Sequence, residues 1–137
     1  MITLDQYFGP WRKHPDATPA KIANAERLLD AVNSLMAYAE EQGVVFPFNP
    51  STDSQVSGTR LGGFRPILST TGAARSSHKE ALAVDIYDPS DEIDKWCLAN
   101  LDRFEKVGIY LEHPDYTVTW SHWTIRRPGS GNRVFYP

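Results

Sequence analysis

Residues 82–87, with the sequence LAVDIY, form a compact β-prone run that the turn-forming sequence DPS ends at residues 88–90. A helix is predicted directly after this turn, with Ser90 as its N-cap. The carboxylates of its first turn suit the positive end of the helix dipole. The first-turn acids are Asp91, Glu92 and Asp94, and the apolar stripe is Ile93, Trp96, Cys97, Leu101 and Phe104.

Further helix and strand segments lie on both sides of this unit. Upstream, Thr18 and Pro19 begin the clearest helix, which is predicted to run to about Gln42 and to stop at Gly43. A short strand or extended segment is predicted after it. The predicted extended segments and strands are 44–48, 57–64, 109–111, 118–125 and 133–136.

Two helices among several short strands, without strict βαβ alternation, predict an α+β fold with a mainly antiparallel sheet. The chain of 137 residues and 15.4 kDa is predicted to form a single domain spanning 1–137. A chain of this mass removes roughly two-thirds of its unfolded surface from water, which suffices for a core without cross-links. Cys97 is the only cysteine, so it has no disulfide partner within the chain, and we expect it to pack as a small hydrophobe.

The charge pattern excludes several classes of partner. The formal net charge is -3 and no basic run occurs, so nothing indicates nucleic-acid binding. No segment approaches the ~20 apolar residues that span a bilayer, so membrane insertion is not expected. Residues 1–6 lack the features of a signal peptide, and we expect a monomer made in the cytoplasm.

Two of the four histidines lie where strand geometry brings them towards a carboxylate. His78 precedes the strand that contains Asp85, and His122 lies in the strand predicted at 118–125. If these two strands are neighbours, two imidazoles and one carboxylate converge on one point. Three protein ligands with an open fourth position are the arrangement of a catalytic zinc site, which we expect on the sheet.

The motif Ser76-x-His78-x-x-x-x-Ala83-x-Asp85, with 63–66 (GFRP) before it and Trp120-x-His122 after it, resembles the M15 family of zinc peptidases. That family contains D-Ala-D-Ala carboxypeptidases of the VanX/VanY type and L,D-endopeptidases, and it shares its zinc fold with Hedgehog domains. The ordered motifs cover about 60% of the chain, from 56 to 137. The segment 127–137 resembles the phage-type branch.

The resemblance implies a zinc-dependent peptidase that acts on peptidoglycan stem peptides. It implies that His78, Asp85 and His122 bind zinc and that Arg65 stabilises the oxyanion of the substrate. Ser76 is expected to orient its loop or to contact the substrate. The bond that is cleaved stays open, and so does the place of action, which could be the host cytoplasm, the medium at lysis or a virion.

Two positions depart from the usual family pattern. The motif glycine is Ala81, a small change if φ is negative there and a strained one otherwise. The glutamate expected three residues before the last histidine is Thr119, and threonine cannot take a proton from water. Glu112 and Asp115 are the candidate general bases, and we favour Glu112 for its reach.

Two other functions are compatible with the same residues. The domain could bind zinc and a cell-wall or protein ligand without hydrolysis, which the loss of the glutamate at position 119 favours. It could also be a metal-free Ser-His-Asp hydrolase that uses Ser76 or Ser77 as nucleophile. For Trp120 and Trp123, which point to opposite faces of one strand, we expect that one belongs to the core.

Overall fold

A four-stranded mixed sheet lies at the centre of the protein, and a computed structural model describes all 137 residues. Its strands are β1 (Ala83–Tyr87), β2 (Tyr110–Glu112), β3 (Trp120–Thr124) and β4 (Val134–Phe135). Their order in the sheet is β1-β3-β2-β4, with antiparallel pairs except for the parallel pair of β2 and β4. The predicted α+β class with a mainly antiparallel sheet is confirmed.

Four α-helices accompany the sheet: α1 (Leu4–Phe8), α2 (Pro19–Glu41), α3 (Glu92–Ala99) and α4 (Leu101–Val107). The long helix α2 has nearly the predicted bounds. The Thr18 hydroxyl accepts a hydrogen bond from the Lys21 amide at 3.3 Å, and Gly43 follows the end of the helix with a φ of +88°. A capping residue at one end and a left-handed glycine at the other therefore limit this helix.

One face of the sheet forms the core together with the helices. Trp123 is fully buried there, with Phe46 and Phe104 edge-on to its ring at centroid distances of 6.2 and 5.5 Å. Trp120 is only half-buried on the opposite face, which confirms that one of the two tryptophans belongs to the core. Cys97 is fully buried as predicted, and burial raises the pKa of its thiol. The core residues of α2 are Ala25, Leu28, Leu29, Val32, Leu35, Met36 and Ala39.

The second predicted helix differs from the prediction at its start and in its middle. The helix begins at Glu92, whereas Ser90 was predicted as its N-cap. The Asp88 carboxylate instead accepts the amides of Ile93 and Asp94 at 3.0 and 2.9 Å. It is also interrupted at Asn100, which separates α3 from α4. Asp91 therefore occupies the N-cap position, while the Asp88 carboxylate accepts the first amides of the helix.

The two segments predicted as extended or strand, 44–48 and 57–64, form no regular strand. The second one instead loops along the free edge of β1. The amide of Asp85 donates to the carbonyl of Gly62 at 2.7 Å, and the carbonyl of Asp85 accepts from the amide of Ser57 at 2.8 Å. Proline interrupts the first segment and glycines interrupt the second, and the second pairs with β1 through single hydrogen bonds rather than a ladder.

None of the helices is both long enough and apolar enough to cross a membrane.

Candidate metal centre

A single row of residues across the sheet forms the floor of the site. Asp85 on β1 is directly opposite His122 on β3, and the register of β2 with β3 places Glu112 beside His122 on its other side. Glu112 in turn pairs with Phe135 on β4. All four side chains line one cavity of about 430 Å³. The strand order therefore collects residues from distant parts of the chain on one face.

Three side chains in this cavity meet at one point. The Asp85 Oδ1 atom lies 2.8 Å from the Nδ1 atom of His122 and 3.2 Å from the Nε2 atom of His78. The ligand atoms of the three residues all lie within 4.8 Å of one another. In a tetrahedral zinc site with bonds of about 2.0–2.1 Å, neighbouring ligands are about 3.3 Å apart. The cluster already has nearly this spacing, so these residues could hold a metal ion.

The orientation of the His78 ring supports a cation at this point. The His78 Nδ1 atom lies 2.7 Å from the Gly63 carbonyl, which only accepts hydrogen bonds, so Nδ1 carries a proton. The Nε2 atom then faces a carboxylate oxygen and needs a proton or a metal ion between them. Because complete burial lowers the pKa of His78, although Asp85 opposes this, the uncharged ring is favoured and its free lone pair suits a metal.

The electrostatics of Asp85 also favour a ligand in its charged form. Burial by itself would raise the pKa of this carboxyl, but His78 and His122 lower it to well below its usual range. The Arg65 Nη2 atom lies 3.3 Å from the Asp85 Oδ2 atom and adds a cation on the other oxygen. Asp85 thus stays an anion at the buried end of the cavity.

Arg65 is held in place by the loop that covers the site. Its Nε atom donates to the Leu61 carbonyl at 2.8 Å, and its Nη1 atom donates to the Thr71 carbonyl at 3.4 Å. The residue is largely buried but still lines the cavity. These contacts leave a guanidinium fixed beside the three converging side chains, where it can face a developing negative charge.

The structure separates the two candidate bases. Glu112 lines the cavity, and partial burial raises its pKa, with His122 opposing this effect and Asp85 adding to it. The Asp115 side chain is 81% exposed, lies in a short 3₁₀ turn near His113 and does not line the cavity. Of the two, only Glu112 is positioned to exchange a proton within the site.

Both departures from the family pattern fall on left-handed backbone. Ala81 has a φ of +57° and is fully buried, so alanine stands where glycine would be unstrained. Thr119 has a φ of +76°, which is unusual for a β-branched residue. Its amide donates to Asp91 Oδ1 at 3.0 Å, and its carbonyl accepts from Asp88. Position 119 is therefore an exposed turn tied to the start of α3, and it does not line the cavity.

The two serines before His78 have a structural setting. The Ser76 hydroxyl accepts the His78 amide at 3.2 Å and caps the 3₁₀ turn Ser77–Glu80, although Ser76 and Ser77 also line the cavity. Both ring nitrogens of His78 are engaged by Gly63 and Asp85. A metal-free serine hydrolase would therefore have to use His122, whose Nδ1 atom pairs with Asp85 in the same cavity, as the base.

Sequence reasoning missed the support that α1 gives to the site. The Tyr7 carbonyl accepts the Phe64 amide at 3.3 Å, and the Tyr7 hydroxyl donates to the Ala83 carbonyl at 2.8 Å. A Cβ atom on Gly63 would collide with the Tyr7 carbonyl, so only glycine allows this approach. The glycine pair at 62–63 was the available signal, because consecutive glycines indicate close backbone contact.

A second group of side chains has the spacing of possible metal ligands, at the start of α3. It consists of Asp88, Asp91 and Asp94.

Comparisons with protein families, with curated proteins and with solved structures found no match to this chain.

Proposed function

We propose that this protein is a zinc-dependent peptidase that cleaves peptidoglycan stem peptides, as a D-Ala-D-Ala carboxypeptidase or an endopeptidase. The observation that carries the proposal is the meeting of His78, Asp85 and His122 in one cavity with Arg65 and Glu112. Two imidazoles and one carboxylate suit zinc and leave a coordination position for a reactant. The choice of peptide substrate rests on the family resemblance of the motifs.

Each residue of the cavity has a defined task in this proposal. Bound zinc supplies Lewis-acid chemistry, which makes water more acidic and a peptide carbonyl more electrophilic. Glu112 accepts a proton from the attacking water and returns it to the leaving amine. Arg65 stabilises the negative charge that develops on the carbonyl oxygen. Gly63 holds the His78 ring through its carbonyl group.

The raised pKa of Glu112 fits the task of a base. A carboxylate with the usual pKa is a weak acceptor at neutral pH, and partial burial moves the pKa of Glu112 upwards. The location on β2, one strand away from His122, also explains how a base can act without a glutamate at position 119. The base comes from the neighbouring strand and not from the turn before β3.

The test combines metal content with cleavage. The purified protein is expected to hold one zinc ion per chain and to cleave a stem pentapeptide ending in D-Ala-D-Ala, and a chelator should abolish cleavage. Mass spectrometry of the products identifies the bond. Stoichiometric zinc with an intact pentapeptide and intact muropeptides would reject the peptidase. The remaining function would be the non-catalytic zinc-binding domain, which the loss of a glutamate at position 119 favours.

A further inference from the structure

A group of cations without acidic partners lies beside the metal site. None of the ion pairs in the protein includes any member of this group. The group, called the basic corner below, consists of Arg75, Lys79, Arg126 and Arg127.

The basic corner is built around one backbone turn. Lys79 donates from Nζ to the carbonyl of Ala74 at 3.4 Å, and Arg126 donates from Nη1 to the carbonyl of Arg75 at 2.8 Å. These contacts tie the Lys79 ammonium and the Arg126 guanidinium to neighbouring backbone carbonyls, and no carboxylate is paired with either group.

A second cavity connects the basic corner with the metal site. This cavity of about 270 Å³ is lined by Arg126 and Arg127 and by no aspartate or glutamate. It shares Ser77, Phe135 and Pro137 with the cavity that holds the metal site, which Arg75 also lines. A molecule bound at the metal site can therefore extend into the basic corner.

Arg127 lines the second cavity, and its guanidinium makes no hydrogen bond within the chain. It makes no ion pair, and its Nη2 atom lies over Gly131, where a Cβ atom would approach it to 2.7 Å. Gly131 has a φ of +73° and no side chain. The Arg127 guanidinium can therefore lie against this turn in space that a Cβ atom would otherwise occupy. The planar guanidinium suits a carboxylate, to which it can donate two parallel hydrogen bonds.

We propose that the basic corner binds a free carboxylate of the peptide substrate, outside the bond that is cleaved. The role of this subsite in selecting acidic stem peptides rests on the proposed function. The ligand is an extended peptide that places an anionic group at the basic corner. The same peptide also reaches Arg65 and the metal ligands. An amidated peptide of the same length lacks this contact.

The test uses two pentapeptides, L-Ala-γ-D-Glu-L-Lys-D-Ala-D-Ala and the same peptide with its glutamate α-carboxylate amidated. Wild-type protein is expected to show a KM roughly 2- to 5-fold lower for the acidic peptide, the size of one exposed ion pair. Arg127→Gln should remove most of this difference with little change in kcat or zinc content. Lys106→Gln, which removes one charge from α4, serves as the matched control and should keep the difference.

Binding measured without turnover separates this proposal from the proposed function. Calorimetry with the zinc-loaded Glu112→Gln protein should show the same preference for the acidic peptide, and adding Arg127→Gln should remove most of that preference. If no peptide is cleaved but this preference and its dependence on Arg127 persist, the subsite stands and the peptidase fails. Equal affinity for both peptides, or an equal loss for both in Arg127→Gln, would overturn the subsite.

Discussion

Two groups of three side chains in this protein have ligand atoms within 4.8 Å of one another, and they differ in what those atoms already bind. In the acidic group at the start of α3, the chain itself supplies donors. Asp88 accepts two backbone amides, Asp91 accepts the amide of Thr119, and Asp94 Oδ2 accepts the hydroxyl of Thr117 at 2.9 Å. In the sheet group, a histidine nitrogen and a carboxylate oxygen face each other and leave room for a cation.

The difference shows that spacing alone does not identify a metal site. The acidic group joins the turn before β3 to the N-terminus of α3, which is a structural role. The sheet group has an outer hydrogen bond from His78 to Gly63 that fixes the ring and directs the other nitrogen inwards. The type of ligand and the cavity therefore separate the two groups better than a count of satisfied atoms, because the buried Asp94 Oδ1 atom of the acidic group also lacks a partner. Four variants test the separation.

The largest effect is expected from removing a ligand of the sheet group. His122→Ala should lower zinc affinity by more than about 100-fold, beyond the range of outer-shell changes, and should abolish peptide cleavage. Asp88→Asn is the matched change in the acidic group and should keep stoichiometric zinc while lowering stability. Zinc content after dialysis and competition with a chelator measure both. Zinc loss in Asp88→Asn with retention in His122→Ala would reverse the assignment of the two groups.

The next effect concerns Glu112, which lies beside the sheet group without belonging to it. Glu112→Gln should keep zinc and lower kcat by roughly 100- to 10,000-fold, the contribution of a general base. Asp115→Asn is the control, because that side chain is exposed and outside the cavity. If Asp115→Asn loses activity and Glu112→Gln does not, the base has been assigned to the wrong carboxylate.

A smaller effect is expected from the backbone that supports His78. Gly63→Ala places a methyl group against the Tyr7 carbonyl. The resulting shift of residue 63 displaces its own carbonyl, which holds the His78 ring. Zinc affinity should fall by about 10- to 100-fold, the usual range for an outer-shell partner. Gly129→Ala, where a Cβ atom meets nothing within 4 Å, is the control. Unchanged zinc affinity in a folded Gly63→Ala protein would show that the carbonyl does not orient His78.

The smallest effect concerns the acidic group and its dependence on pH. Burial raises the pKa of Asp94 to about 6, although its hydrogen bonds oppose this. The folded state then holds this proton more tightly than the unfolded state, so the free energy of unfolding falls as pH rises from about 4 to 6. Asp94→Asn should remove this slope and gain about 1–3 kcal/mol at pH 7.

Urea unfolding of the wild type and Asp94→Asn at several pH values measures this difference, and comparison of the two cancels the effects of groups that both contain. Asp102→Asn, an exposed carboxylate on α4, should leave the slope unchanged. A wild-type slope that persists in Asp94→Asn would assign the titration to another group.

Periodicity was sufficient for the elements that have a continuous pattern. The stripe of α2, its cap at Thr18 and its glycine stop are local features, and the predicted bounds agree with the structure to within about a residue. The start of α3 was predicted wrongly at Ser90, because the Asp88 side chain reaches forward to two amides. Competition between neighbouring capping residues depends on the actual path of the turn.

The irregular segment before the site shows where such prediction fails. Residues 57–64 were predicted as a strand within a stretch rich in Ser, Thr, Gly and Arg, yet they follow the edge of β1 with separate hydrogen bonds to Asp85. The two glycines at 62–63 allow backbone contacts that no side-chain pattern encodes. The support of His78 by Gly63 and Tyr7 therefore came only from the folded chain.

The sequence by itself determined the fold class, the long helix and the three residue types able to bind a metal, because these depend on local periodicity and on side-chain chemistry. Only the tertiary structure decided that β1, β3 and β2 are adjacent and that Glu112 lies beside His122. It also decided that Asp115 stays outside the cavity and that Arg126 and Arg127 line a second cavity beside the site. Strand order and register join residues far apart in the chain, and no local pattern specifies such long-range pairing.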